Sequence, residues 1–221
     1  MDTVDRVNAP ARADPAGVDE GARRPSGYRR WRGSPRGEAR RRELLARVTD
    51  DVEVNGLANF SLRRAARAAE TTHKVLLYYF EDADDLLAQA VAQLRARRIR
   101  GGLAAAAEQA GGSLVERVRA LWPVLIGAED AALEQATGLA MYDPRRYARL
   151  ADGASEEYVS ALRDICPAEW TERRKQEVAA LILAALRGLL LARRTSGQER
   201  DADAGLAALE RALAREVDAG R

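Results

Sequence analysis

No stretch of this chain alternates apolar and polar residues with period two for long enough to make a strand, whereas apolar residues recur with helical spacing from about Gly37 onward. That pattern confines the fold to the all-α class. Leu44, Leu45, Val48 and Val52 fall on one face of a first helix. The longest apolar run, "VAALILAALRGLLLA" from Val178 to Ala192, is interrupted by Arg187 and is shorter than a membrane span requires. It reads as a buried helix, and no membrane partner is expected.

Helix boundaries are marked by capping chemistry. Asn55-Gly56 offers the left-handed stop that ends the first helix. Ser61 caps a short second helix, Thr72 a third running to about Tyr79, and Asp82 a fourth, with Asp85 three positions on. The Gly101-Gly102 pair is expected to end that fourth helix. Ser113 opens a helix kinked or ended near Pro123, and a helix over about 128–141 follows. Asp143-Pro144 opens a helix reaching Ile165, and Cys166-Pro167 opens a long one to about Arg194. After Ser196-Gly197, "DADAGLAALERALAREV" forms the last helix. Residues 1–36 lack periodicity and end in "YRRWRGSPR", so a flexible basic tail is expected there. The organisation is then a tail over 1–36, a three-helix unit over 37–81 and a helical body over 82–221.

Residues 1–100 are net basic and residues 101–221 net acidic, although the whole chain carries only +2. A basic module on an acidic body points to a polyanionic partner. The N-terminus has no hydrophobic signal segment, so a cytoplasmic location is expected. The one cysteine, Cys166, excludes an intrachain disulfide, and with a single histidine the chain offers no metal-ligand set. His73 lacks the accompanying nucleophile, orienting carboxylate or Gly-rich loop that catalysis needs. No catalytic residue, metal site or cofactor is therefore assigned, and the chain is not expected to be an enzyme.

The segment "SLRRAARAAETTHKVLLYYF", Ser61 to Phe80, instead has the make-up of a helix-turn-helix. The second helix of such a pair presents short polar and basic side chains at its N-terminal end, where they reach base edges in the major groove. Thr72, His73 and Lys74 stand there. Ser61, Arg63 and Arg64 begin the first helix of the pair, suited to the phosphate backbone, and Tyr78 and Tyr79 offer hydroxyls at the far edge.

Residues 41–91 resemble the DNA-binding domain of TetR-type transcriptional repressors. The family's "[ST]-x-R-x-[IVL]-A-x-x-A-G-V-[ST]" and "L-Y-x-[HY]-F" elements are matched at Ser61, Arg63, Ala66, Ala69, Thr72, Leu76, Tyr79 and Phe80, with Gly56 in the preceding turn. Glu70 replaces the usual turn glycine, Leu77 a phosphate-contacting tyrosine and Ala83 a lysine. Arg29, Arg30 and Arg32 of the tail are expected to compensate as a phosphate-following arm. The resemblance implies a ligand-responsive repressor that binds double-stranded operator DNA as a homodimer. Its body would hold an unknown small-molecule effector, with Trp122, Met141, Tyr142, Tyr147, Tyr158 and Trp170 as candidate lining residues. The two closing helices are expected to form the dimer face, the last carrying Leu206, Leu209, Leu213 and Val217 on one side. A helical protein-interaction module with a degenerate helix-turn-helix is the alternative reading.

Overall fold

The computed structural model describes residues 34–109, 111–127, 131–197 and 199–219, and none of these is in a strand. Helix α1 spans Pro35–Asn55. It starts two residues before the expected Gly37, because the Ser34 hydroxyl accepts from the Gly37 N–H at 3.1 Å and Pro35 occupies the first helical position. The tail arginines Arg29, Arg30 and Arg32 lie outside the described residues. Helices α2 (Leu62–Ala68), α3 (His73–Tyr79) and α4 (Ala83–Ala107) follow, capped by Ser61, Thr72 and Asp82 as their sequences predict.

The body comprises α5 (Leu114–Ile126), α6 (Ala131–Tyr142), α7 (Pro144–Ala151), α8 (Ala154–Asp164), α9 (Glu172–Ser196) and α10 (Glu199–Asp218). Three further boundaries differ from expectation. Helix α4 runs through Gly101-Gly102, and Gly102 is buried where a Cβ would lie 3.3 Å from the Leu121 side chain. The glycine serves close approach of α5 rather than termination. The helix opened by Asp143-Pro144 breaks at Gly153, whose left-handed φ of 65° separates α7 from α8. Cys166-Pro167 begins a turn closed by the Trp170 N–H to the Pro167 carbonyl, and Thr171 supplies the true cap of α9 by accepting from the Arg174 N–H.

Two apolar cores organise these helices. The first joins α1, α2 and α3 to the N-terminal half of α4, and adds Ala132, Leu133 and Ala136 of α6 and Leu150 of α7. It therefore continues past residue 81, where the sequence suggests a domain boundary. The second core lies among α5, α8, α9 and α10. Leu206, Leu209 and Leu213 of α10 are consumed in it, with Val217 packed against it. The remaining exposed apolar surface of the closing pair lies on α9, where Leu181 is 53% and Leu191 58% exposed.

Helix α4 is the shared beam. Its Gln93 accepts from the Thr49 hydroxyl at 2.6 Å, and its Arg97 pairs with Asp50 and Glu53, each at 2.7 Å, so α1 is tied along it. Another face of α4 carries Arg95, Arg98, Ile99 and Gly102 toward a cavity in the body.

Candidate nucleic-acid interface and effector cavity

Small residues let α2 and α3 pack closely. Ala65, Ala66 and Ala69 are buried, and Leu76 and Phe80 fill the space beneath them with 0% and 1% exposure. The turn is a Schellman motif: the Thr71 N–H reaches the Ala66 carbonyl at 2.9 Å and the Glu70 N–H the Arg67 carbonyl at 3.1 Å. Such a turn needs a left-handed residue after the cap, and Glu70 takes it at φ 48°. A non-glycine there costs about 1 kcal/mol. The Glu70 carboxylate accepts from Arg47 of α1 at 2.6 Å, which orients the turn against α1.

Helix α3 begins with Thr72, whose hydroxyl accepts from the Val75 N–H at 3.3 Å and keeps its own proton to donate. Thr72, His73 and Lys74 are all exposed, and Leu77, one turn further on, is 43% exposed on the same side. On α2, Arg63 and Arg67 are exposed one turn apart. The side chains of Arg63, Arg67, His73 and Lys74 have no hydrogen-bond or ion-pair partner among the described residues. Solvated cations without intramolecular partners can neutralise phosphates at little desolvation cost. Arg67 escaped the sequence reading, although its spacing of four from Arg63 on a helix is the signal that finds it. Tyr78 and Tyr79 are half-buried and stack edge to face, with centroids 4.9 Å apart, and Tyr79 packs against the first core.

Arg64 sits differently from its neighbour. Its guanidinium donates to the Asp51 carboxylate at 2.7 Å and to the carbonyls of Ala58, Gly56 and Asp51 at 2.9, 2.8 and 3.2 Å. Only 14% of the side chain is exposed. The geometry makes it the pin that fastens α2 to the end of α1. Ser61 is likewise engaged as the α2 cap, accepting from the Arg64 N–H at 3.3 Å, but remains exposed.

The body holds a cavity of about 660 Å³ enclosed by α4, α5, α6, α7, α8 and α9. Of the six aromatic and methionine candidates, Met141 and Tyr158 line it. Trp122 and Trp170 are instead buried in the second core, the latter under the Arg174 guanidinium at 4.1 Å. Tyr147 packs on the first core, and Tyr142 is 87% exposed. The walls are apolar apart from Glu134, Gln135, Thr137, Tyr158, Thr195 and a set of arginines, a pattern suited to a small ligand. Arg98 donates to Glu134 at 2.8 Å, and Arg95 holds Glu157 at 2.7 Å. Burial raises the Tyr158 pKa, although Arg98, Arg187 and Arg95 oppose that rise, so the phenol is protonated at neutral pH.

Gln135 faces both sites. It lines the cavity, and its side-chain oxygen accepts from the Leu57 N–H at 2.8 Å in the loop that leads into α2. Cys166 carries no comparable arrangement: burial pushes its thiol up to about 11, and it donates only to the Leu162 carbonyl. Among the described residues no group of three potential ligands gathers for a metal, and no helix is long and apolar enough to cross a membrane.

No protein-family model and no curated protein sequence matches the chain. Solved structures do. A protein assigned as a TetR-family transcriptional regulator from Rhodococcus sp. superposes with a TM-score of 0.59 at 18% identity, over 80% of this chain and 97% of that one. A protein assigned as a transcriptional regulator from Pseudomonas aeruginosa PAO1 gives 0.58 at 20% identity, over 83% and 92%. Another from Streptomyces coelicolor A3(2) gives 0.55 at 23% identity, over 78% and 96%. At these identities the likeness speaks for architecture, and the chain has the all-helical fold found in TetR-family transcriptional regulators.

Proposed function

We propose that the protein is a DNA-binding transcriptional regulator, a repressor released from a palindromic operator by a small molecule. One observation carries this reading: the exposed N-terminal end of α3, with Thr72, His73 and Lys74, is flanked by Arg63 and Arg67, and the four basic side chains lack partners among the described residues. Thr72, His73 and Lys74 would meet base edges, and the exposed Leu77 beside them suits a thymine methyl group. Ser61, Arg63 and Arg67 would contact phosphates, with Tyr78 and Tyr79 at the edge of the footprint. Arg64 would act indirectly, by fixing the angle of α2.

The exposed stripe Leu181, Ala184, Gly188 and Leu191 on α9 supports dimerisation through the closing helices. A twofold dimer would set two α3 helices about one turn of DNA, or a small multiple of it, apart. The effector would act through α4 and Gln135, which touch both the cavity and the helix-turn-helix. A ligand favouring a conformation with the wrong spacing lowers operator affinity by its differential affinity for the two states.

Lys74→Ala tests the recognition helix. Operator affinity in a gel-shift titration is expected to fall by about 1–3 kcal/mol, with relaxed sequence preference and an unchanged unfolding transition. Wild-type affinity in that variant would remove α3 from the interface and favour the protein-interaction module.

A further inference from the structure

The charge around the cavity exceeds what the helix scaffold uses. Arg95 is spent: it holds both oxygens of Glu157, at 2.7 and 3.1 Å, and the Asp152 carbonyl at 3.0 Å. Arg98 and Arg194 share Glu134, at 2.8 and 3.3 Å. Arg187 has no carboxylate among the described residues. Its side chain meets only the Ser155 hydroxyl, at 3.0 Å, and the face of Tyr158, 5.3 Å from the ring centroid. Arg187 stands at the cavity rim and is exposed by area, yet desolvation by its surroundings lowers its pKa; Tyr158 opposes that shift, while the charges of Arg95 and Arg98 add to it. Arg98 also donates to the Tyr158 oxygen, which leaves the phenol of this cavity-lining residue its own proton to donate. Behind this polar rim the walls are aliphatic, with Ile99, Leu103, Leu125 and Leu183.

We propose that the cavity binds an amphiphilic organic acid, its anionic group held by Arg187 and the Tyr158 hydroxyl and its apolar body against the aliphatic wall. The anion would relieve the repulsion between neighbouring guanidiniums, and a charge-assisted bond in a partly desolvated site is stronger than a neutral one. The regulatory consequence of binding rests on the reading above; the binding itself does not.

The test uses the full chain without DNA. Binding of anilinonaphthalene sulfonate is compared by fluorescence titration with its uncharged parent, phenylnaphthylamine. The sulfonate is expected to bind at least about tenfold more tightly, and decanoate to displace it. In Arg187→Gln that preference should fall below about threefold while the parent's affinity is unchanged, with a smaller loss in Tyr158→Phe. Equal affinity for the two dyes, no displacement by decanoate, or an unaltered preference in Arg187→Gln would each overturn the proposal. Because no DNA is present, these outcomes are independent of whether the protein binds an operator.

Discussion

Arg64→Ala is expected to destabilise the helix-turn-helix by about 3 kcal/mol, whereas Arg63→Ala, one residue away, should change stability by less than about 0.5 kcal/mol. The two arginines are adjacent but lead different lives. Arg63 is exposed with no partner among the described residues, while Arg64 satisfies a carboxylate and three carbonyls at the junction of α1 and α2. Removing the guanidinium leaves the largely buried Asp51 carboxylate without its cation, and losing a partner costs more than the bond was worth. Arg64→Lys should rescue little, because an ammonium on a single stem cannot reproduce the planar fork. Urea denaturation followed by circular dichroism measures the stabilities, and gel-shift titration measures DNA affinity. The expected pattern is lost stability for Arg64 and lost affinity at intact stability for Arg63. Equal stability of the two variants would remove the pin from the account.

Gly56→Ala is expected to cost about as much, on the order of 3 kcal/mol, from two separable sources. The residue has φ 66° and ψ −172°, a conformation almost confined to glycine, which accounts for about 1–3 kcal/mol. A Cβ there would also lie 2.7 Å from the Gln135 side-chain oxygen. That amide can swing aside only by giving up its bond to the Leu57 N–H, and an unsatisfied buried donor costs about 1–3 kcal/mol. In a Gln135→Ala background the cost of Gly56→Ala should therefore drop by about 1 kcal/mol or more, a coupling that a double-mutant cycle reads directly. Strict additivity would show that Gln135 does not brace this loop, and with it would go the contact proposed to link the cavity to α2 and α3.

Much of the fold was legible because local chemistry decided it. The helical period and the caps at Ser61, Thr72, Asp82, Ser113 and Asp143 act within a turn of themselves, and the structure has them where the sequence puts them. Misreadings arose where a distant neighbour decided. Gly102 looks like a stop until α5 packs on it, and Cys166-Pro167 looks like a helix start although the cap is Thr171, five residues on. The candidate interface divides in the same way. Thr72, His73 and Lys74 could be placed from the cap alone, but Arg63 and Arg64 are indistinguishable in sequence until Asp51, thirteen residues earlier, is brought alongside. The cavity was least legible. Trp122 and Trp170 are large enough to be lining residues or core, and packing made them core. The arginines that distinguish the cavity look in sequence like any solvated helical face.

Selection from random-sequence duplex DNA by the immobilised full chain, at near-physiological salt, tests the central claim most directly. Enrichment of an inverted repeat, its half-sites about one helical turn or a small multiple apart, is the expected result, and Lys74→Ala should blur it. Recovery of DNA with no shared motif, or of none at all, would contradict the assignment of α3 as a reader of sequence.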